Sequence, residues 1–123
     1  MSKKITVLVI GCGNMGASHA TAYHNHPSFN ICGLVSRGKS KDELNDSLKS
    51  NYTLFTDYKQ AIINTKPDAV CISTYPDTHK EISLFALENN CHIFLEKPIA
   101  DDLKGSREII NKEGNFPIIS LQT

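Results

Sequence analysis

Short apolar runs alternate with longer polar stretches along most of this chain. The runs are rich in β-branched residues and nearly continuous, as in strands that are buried on both faces of a parallel sheet. The first run ends on Gly11, and the last is entered through Pro117, which is tolerated at the start of a strand. The pattern predicts six strands, at Ile5–Ile10, 31–36, 53–55, Ala69–Ile72, 91–95 and Ile118–Leu121.

Between these runs, apolar residues recur three or four positions apart, as they do on the inner face of a surface helix. The spacing predicts helices over 15–26 and 41–49. Asp77 is the expected cap of a later helix, and another helix is expected to begin at Asp101 or Asp102. The residues predicted to share an inner helical face are Tyr58, Ile62 and Ile63 in one helix and Ile82, Phe85 and Ala86 in the next.

Strands that alternate with helices of about a dozen residues are typical of an α/β fold. We therefore expect a Rossmann-type doubly wound parallel sheet with helices on both faces and right-handed connections. The 123 residues and 13.6 kDa suit a single domain spanning 1–123, without a separate substrate domain. Ligands of such sheets bind at the carboxyl ends of the strands, so binding and catalytic residues are expected there.

Composition removes several classes of function. The chain has 13 basic and 13 acidic residues, so no positive field for a nucleic acid or an anionic membrane is expected. The apolar run Ile5–Ile10 is far shorter than the ~20 residues of a membrane helix, which favours a cytoplasmic protein. The four cysteines are scattered and are interpreted as structural thiols, and no metal site is expected from His19, His24 and His26.

The glycine-rich segment after the first predicted strand is the first candidate site. Gly11, Gly13 and Gly16 have the spacing that permits a tight turn, close approach of the backbone to a pyrophosphate, and packing of a helix on a strand. Amide groups at the start of the helix, including those of Asn14 and Met15, would hold the phosphate oxygens. The segment predicts a dinucleotide site; the alternative is a glycine turn without a ligand.

The end of the second predicted strand bears on the choice of cofactor. NAD-specific sheets of this kind usually carry an acidic residue there, but this chain has Ser36 and Arg37. A hydroxyl and a guanidinium suit a 2′-phosphate, and Lys39 and Lys41 add positive charge nearby. The sequence therefore favours NADP over NAD; the alternative is that Arg37 is only a solvated loop residue.

The segment after the fourth predicted strand is a second candidate for contact with the cofactor. Ser73 and Thr74 offer hydroxyls to the nicotinamide ribose, and Tyr75 and Pro76 offer an apolar wall. His79 is included in the predicted cofactor site, although a structural hydrogen-bonding role is the simpler interpretation. The alternative for the whole segment is an ordinary helix-capping turn.

Glu96, Lys97 and Pro98 follow the fifth predicted strand, at the same edge of the sheet. An ammonium group there can bind the substrate oxygen and stabilise charge as a hydroxyl becomes a carbonyl or the reverse. Glu96 would contact the cofactor ribose or orient the lysine. We expect Lys97 to be catalytic; the alternative is a solvent-facing lysine before a turn proline.

Together these motifs resemble the N-terminal domain of the Gfo/Idh/MocA family, which includes glucose-fructose oxidoreductase and inositol dehydrogenases. The resemblance implies an NAD(P)-dependent oxidation or reduction of a sugar- or cyclitol-like substrate. It also implies a catalytic role for Lys97 and a cofactor contact for Glu96. It rests on Gly-Cys-Gly-Asn-Met-Gly at 11–16, His19-Ala20, Tyr75-Pro76-Asp77-Thr78-His79 and Glu96-Lys97-Pro98.

Members of that family continue into a second α/β domain, which has no counterpart before Thr123. From this difference we expect weak dinucleotide binding and negligible turnover by these 123 residues alone. The surface that a second domain would cover favours self-association into a homo-oligomer. The alternative function is a dinucleotide-binding or interaction module without catalysis.

Overall fold

The computed structural model describes residues 4–74, 76–96 and 118–121. In this part of the chain, four helices alternate with the first five of six strands. The helices are α1 (Asn14–Asn25), α2 (Ser40–Ser47), α3 (Tyr58–Thr65) and α4 (Pro76–Glu88). The strands are β1 (Ile5–Ile10), β2 (Phe29–Val35), β3 (Leu54–Phe55), β4 (Ala69–Ile72), β5 (His92–Glu96) and β6 (Ile118–Leu121).

The six strands form one parallel sheet in the order β3-β2-β1-β4-β5-β6. The chain builds outward from β1 to β2 and β3, then returns to pair β4 with the other side of β1. This reversal creates a crevice beyond the carboxyl ends of β1 and β4, where open α/β sheets bind ligands. The predicted Rossmann-type fold is confirmed.

Among the described helices, one pair packs on each face of the sheet. Alternate residues of the central strands enter two separate cores because successive side chains of a strand point to opposite faces. Leu8 and Ile10 pack with α3 and α4, whereas Val7 and Val9 pack with α1 and α2. All four of these β1 side chains are at most 2% exposed, so β1 is buried on both faces.

A pair of side chains fixes the register of β1 against β4 at the end of the sheet opposite the crevice. The Asp68 carboxylate accepts hydrogen bonds from the Thr6 amide at 3.0 Å and from the Thr6 hydroxyl at 3.1 Å. The Asp68 amide in turn donates to the Thr6 hydroxyl at 2.9 Å. These reciprocal bonds join residues 62 positions apart and align the two strands that border the crevice.

Several local predictions differ from the structure. Ile63, expected on the inner face of α3, is 53% exposed, and Ala61 is buried beside Ile62 instead. Helix α4 begins at Pro76, so Asp77 lies within its first turn rather than before it. Proline fits the first helical position because its missing amide has no partner there anyway. The helix predicted after Asp101 or Asp102 lies outside the described residues.

The cysteines belong to the packing of the sheet. Cys12, Cys71 and Cys91 are buried, Cys32 is partly buried, and none of these four forms a disulfide. Among residues 4–74, 76–96 and 118–121, no cluster of three or more His, Cys, Asp or Glu side chains is arranged to hold a metal ion. The described helices include none with the length and apolar character needed to span a membrane. The cytoplasmic location stays a prediction.

Candidate functional site

A pocket of about 640 Å³ opens at the carboxyl ends of β1 to β4. Its walls come from the loop between β1 and α1, the ends of β2 and β3, the segment after β4, and one side of α4. The pocket therefore occupies the crevice that the strand order creates. Seven residues predicted from the sequence line it: Gly11, Gly13, Met15, Ser36, Arg37, Ser73 and Thr74.

Two glycines of the loop make the turn sterically feasible. Gly11 has φ +97°, which other residues rarely adopt, and a Cβ there would lie 2.5 Å from the Ser73 carbonyl oxygen. A Cβ on Gly16 would overlap the carbonyl oxygen of Gly11. Hydrogen bonds from the Gly11 amide to Val35 and from the Ser73 amide to Ile10 fix the surrounding backbone, at 2.9 and 2.8 Å. The backbone of the loop can therefore pack closely against the segments that follow β2 and β4.

Gly13 serves a different purpose, because nothing lies within 4 Å of a Cβ built on it. Its own conformation is extended and accessible to any residue, with φ −73° and ψ −164°. Gly13 is the N-cap residue of α1 and has no side chain with which to cap the amides of the first helical turn. Those amides and the positive end of the helix dipole suit a bound phosphate. The open space beside Gly13 is compatible with the predicted approach of a pyrophosphate.

At the end of β2, the side chains differ in their availability to a ligand. The Ser36 hydroxyl donates to the Gly38 carbonyl at 3.0 Å and accepts from the Lys41 amide at 3.1 Å. The Lys41 ammonium donates to the Gly38 carbonyl at 2.6 Å and lies 3.7 Å from the Asp42 carboxylate. Arg37 is exposed and lines the pocket. Arg37 is thus the cation here that is best placed to meet an anionic ligand.

The segment after β4 is held by groups from α4. The Thr74 and Thr78 hydroxyls are 2.6 Å apart, and His79 donates from Nε2 to the Thr74 carbonyl oxygen at 3.0 Å. His79 is only 1% exposed, so it lies beneath this segment and not on the pocket wall. Its position favours a structural role, and the predicted contact with a cofactor stays a prediction. Ser73 and Thr74 are partly exposed in the pocket.

Cys12 lines the pocket inside the glycine loop, but its chemistry is suppressed. Its side chain donates to the Val35 carbonyl oxygen at 3.5 Å and is 5% exposed. Burial raises the pKa of the Cys12 thiol to about 11, which keeps the thiol protonated and unreactive at neutral pH. Cys12 is therefore a packing residue of the loop.

Sequence reasoning missed the wall of the pocket that α3 and α4 provide. Thr56 and Tyr58 follow β3, and Glu81 and Ile82 lie on the second turn of α4. The two-residue strand β3 gives a weak signal, and its pairing with β2 is needed to bring Thr56 and Tyr58 to the crevice. No local sequence signal identifies these four residues; the strand order is needed to place them at the pocket.

The other predicted site residues lie at the ends of helices or strands, behind the glycine loop, or outside the described residues. Asn14 and Pro76 are the first residues of α1 and α4, and Glu96 is the last residue of β5. Gly16 is buried behind the loop. Tyr75 and Lys97 lie outside the described residues. Their predicted roles stay predictions.

The parallel sheet, the glycine loop at the reversal of strand order and the open pocket define a class of nucleotide-binding α/β domains. Residues 5–114 match the model of the GFO_IDH_MocA oxidoreductases, which is described as an oxidoreductase family with an NAD-binding Rossmann fold. The chain therefore belongs to the Gfo/Idh/MocA family, as its motifs predicted. It corresponds to the NAD-binding Rossmann-fold part of these proteins.

Curated relatives show the same relationship along the chain. An inositol 2-dehydrogenase of Corynebacterium glutamicum strain R is 30% identical over 114 residues, which are 92% of this chain and 34% of the relative. A D-glucoside 3-dehydrogenase of Escherichia coli K12 is 27% identical over 109 residues, which are 88% of this chain and 31% of the relative. The chain spans about a third of the length of these relatives.

Solved structures share the fold. The scyllo-inositol dehydrogenase of Lactobacillus casei, with bound NAD(H) and scyllo-inositol, superposes with a TM-score of 0.86 and 24% identity. This match covers 96% of the present chain and 36% of that protein. A myo-inositol dehydrogenase from the same organism, also in complex with NAD(H) and its inositol, gives a TM-score of 0.87. The likeness extends across almost the whole of this chain.

Proposed function

We propose that this chain is the cofactor-binding part of an NAD(P)-dependent oxidoreductase acting on a sugar- or cyclitol-like hydroxyl or ketone. The main support is the open space beside Gly13, which lies at the start of α1 and at the point where the strand order reverses. The named activities of the inositol and glucoside dehydrogenases support the substrate class. A bound nicotinamide cofactor would supply or accept the hydride.

The pocket suggests a division of labour among its residues. Amides at the start of α1 would bind the pyrophosphate, because they present donors and a positive dipole end. Ser73 and Thr74, on the β4 side, would contact the nicotinamide ribose through hydroxyl and backbone groups. Met15 lines the pocket with 37% of its surface exposed, and it would cover one face of the bound cofactor.

Lys97 follows β5 directly in the sequence, and we assign it the catalytic role. Its ammonium would hydrogen-bond the substrate oxygen and stabilise the charge that develops there during hydride transfer. Glu96, the last residue of β5, would contact the cofactor ribose or orient the lysine. Both assignments rest on the position of the Glu-Lys-Pro motif in the chain and on the family relationship.

Cofactor titration tests the proposal. NADH and NADPH are added to purified protein while nicotinamide fluorescence is followed, and at least one of them should bind saturably. Hydride transfer to or from inositols and glucosides is then assayed with the protein isolated from its own cells. The variant Lys97→Met should lose turnover and retain cofactor binding. Absence of binding by both cofactors would contradict the proposal, and binding without turnover would favour a non-catalytic dinucleotide module.

Within this function we infer a preference for NADP over NAD. Arg37 lines the pocket beside Ser36, where the end of β2 lacks the carboxylate that would hold a ribose diol. A planar guanidinium suits a 2′-phosphate, and the Ser36 hydroxyl could rotate from the Gly38 carbonyl to join it. The two Lactobacillus casei inositol dehydrogenases were solved with NAD(H), so the inferred preference rests on Ser36 and Arg37 of this chain.

The variant Arg37→Ala tests this preference. We expect its affinity for NADPH to fall about 10- to 100-fold, the effect of losing a charged hydrogen bond, while its affinity for NADH changes little. Lys66→Ala is the control, because Lys66 directly follows α3 and is not among the residues that line the pocket. Equal effects of Arg37→Ala on the two cofactors would show that Arg37 does not recognise the phosphate.

A further inference from the structure

Met15 brings a thioether side chain to the pocket. It is the second residue of α1, it lines the pocket together with Gly11 and Gly13, and 37% of its surface is exposed. Ile5 and Ile63 are the other exposed large hydrophobic residues among the described side chains, and neither lines the pocket. Met15 is therefore an apolar side chain that small solutes entering the pocket can reach.

The four cysteines are better shielded from oxidants than Met15. Cys12 is 5% exposed, and Cys71 and Cys91 are 0% exposed. Burial raises the pKa of the Cys12 and Cys91 thiols to about 11 and also raises the pKa of the partly buried Cys32. These thiols keep their protons at neutral pH, whereas the thiolate is the form that peroxides attack. A thioether needs no deprotonation, so the pocket combines shielded thiols with a reactive methionine sulfur.

We propose that Met15 is an oxidation site at which a hydroperoxide lowers cofactor affinity, and that bound cofactor protects it. The thioether sulfur attacks one peroxide oxygen with its electron pair, so an S–O bond forms as the O–O bond breaks. The proton of the attacked oxygen moves to the leaving oxygen, which departs as water or an alcohol. The sulfur is oxidised to a sulfoxide by two electrons, and the peroxide is reduced by the same two. This inference rests on the proposed cofactor function and adds regulation to the same site.

The sulfoxide changes the chemistry of the pocket at the start of α1. Oxidation turns an apolar side chain into a polar one with a hydrogen-bond-accepting oxygen. The amides of the first turn of α1 and the positive end of its dipole suit an anion. The sulfoxide oxygen, which carries a partial negative charge, would compete with the pyrophosphate for them. The apolar contact that Met15 makes with the cofactor would also be lost, so both effects lower the affinity.

Cofactor binding and oxidation compete for the same side chain. In the proposed function Met15 covers one face of the cofactor, so a bound cofactor excludes peroxide from the sulfur. Only the free protein is then oxidised. Protection by the cofactor therefore tests whether Met15 lies in the binding site, independently of what the sulfoxide does to the affinity.

The experiment treats purified protein with hydrogen peroxide, removes the peroxide with catalase, and titrates NADH and NADPH by fluorescence. Mass spectrometry locates the added oxygen in the tryptic peptide 5–37, which contains Cys12, Met15 and Cys32. We expect oxidation at Met15 and about tenfold weaker cofactor binding, as for the loss of part of a buried apolar contact. NAD+ or NADP+ at about ten times its dissociation constant should slow the oxidation about tenfold, because only free protein reacts.

Two matched variants serve as controls, each compared with its own affinity before treatment. Met15→Leu keeps an apolar side chain without sulfur, so peroxide should leave its cofactor affinity unchanged. Adding Ile63→Met to that variant moves the methionine to a position that is 53% exposed and outside the pocket. Oxidation should then occur at position 63 without a change in affinity.

Repair distinguishes the sulfoxide from oxidised thiols. A thiol reductant alone reverses sulfenic acids and disulfides, whereas a methionine sulfoxide is reversed by methionine sulfoxide reductases, one for each epimer. The affinity of the oxidised original protein should therefore return only when both reductases are added.

The outcomes separate the two levels of the proposal. If neither NADH nor NADPH binds the untreated protein, the cofactor function is wrong and the regulation falls with it. If a cofactor binds but Met15 resists peroxide, is not protected, or binds the cofactor equally well as the sulfoxide, only the oxidation inference is overturned. The same holds if a thiol reductant alone restores the affinity, or if peroxide weakens binding by Met15→Leu as much as by the original protein.

Discussion

At the scale of single residues, Gly13 and Gly16 have opposite surroundings although they belong to one motif. A methyl group on Gly13 would enter open space, whereas one on Gly16 would overlap the Gly11 carbonyl oxygen. The first glycine therefore keeps room for a ligand, and the second keeps the loop closed against α1. The spacing of the motif predicts close approach of a ligand at Gly13 and helix packing at Gly16, and the surroundings of the two glycines fit these roles.

Substituting each of these glycines by alanine tests the separation. Gly13→Ala should cost less than about 1 kcal/mol of the free energy of unfolding but weaken cofactor binding tenfold or more, by about 1 to 3 kcal/mol of steric conflict. Gly16→Ala should destabilise the fold by about 3 kcal/mol through overpacking. Urea unfolding and NADH or NADPH titration measure the two effects. Unchanged affinity of Gly13→Ala for NADH and NADPH would contradict the proposed position of the pyrophosphate beside Gly13.

Residue-scale prediction from the sequence reached the glycines, Ser36 and Arg37 because their signals lie next to a strand. It did not reach Tyr58 or Glu81. A tyrosine on an amphipathic helix is indistinguishable, in sequence, from an ordinary core residue, and a charged residue on α4 from a solvated one. Their meeting at the pocket depends on tertiary packing of α3 beside α4.

At the scale of elements, the junction between β4 and α4 depends on His79. This side chain is almost fully buried and donates to the Thr74 carbonyl oxygen, which holds the pocket segment onto the helix. The sequence placed His79 correctly in the first turns of a helix. It could not determine that the ring points beneath the segment, because that requires knowing how α4 sits against the sheet.

His79→Ala should lower the free energy of unfolding by about 2 to 4 kcal/mol, since it removes a buried side chain and its hydrogen bond to the Thr74 carbonyl oxygen. Cofactor affinity should fall severalfold with it, because Thr74 lines the pocket. Chemical denaturation and fluorescence titration are the measurements. His26→Ala, at an exposed position after α1 where the ring accepts from the Ser28 amide at 3.0 Å, should lower the free energy of unfolding by about 1 kcal/mol at most and leave cofactor affinity unchanged. Unaltered stability of His79→Ala would rule out this positioning role.

The helix boundaries show why local pattern is an incomplete guide. The pattern located α1, α2 and α4 to within one or two residues, because Pro27, Asn89 and the adjoining strands limit them. The inner face of α3 was wrong by one position at Ile63. Two adjacent isoleucines fit either side of an amphipathic stripe equally well, and contact with β2 and α4 decides between them.

At the scale of the whole molecule, buried thiols and phenols make the fold sensitive to alkaline pH. Burial raises the pKa of Cys12 and Cys91 from 9.0 to about 11, and it also raises the pKa values of Tyr23 and Tyr58. Between pH 9 and 11 the unfolded chain loses these thiol protons while the folded chain retains them. Stability therefore falls as pH rises through this window.

We expect the free energy of unfolding to fall by about 2 to 3 kcal/mol per thiol between pH 9 and 11. Urea denaturation at a series of pH values measures this slope. The variant Cys12→Ala should be less stable at pH 7 but should show a shallower alkaline slope, because one titrating group is gone. A slope identical to that of the original protein would mean that Cys12 is not shielded as described.

The predicted sheet was correct because its strands are continuous apolar runs separated by clear turns. The pocket was only partly predictable, since half of its wall depends on which strands become neighbours. Order along the chain places Thr56 and Tyr58 far from Gly11, and the pairing of β2 with both β1 and β3 brings them together. Pairings between distant segments are the information that local pattern lacks.

The reciprocal bonds between Thr6 and Asp68 have a consequence for biosynthesis. The central strand β1 is translated before its partner β4, and Asp68 lies 62 residues beyond Thr6. At about 5 to 20 residues per second, a ribosome takes roughly 3 to 12 s to make that interval. During this time the edge of β1 that pairs with β4 has no native neighbour. Chaperone contact with the nascent chain would be most useful in that interval, before Asp68 emerges from the exit tunnel.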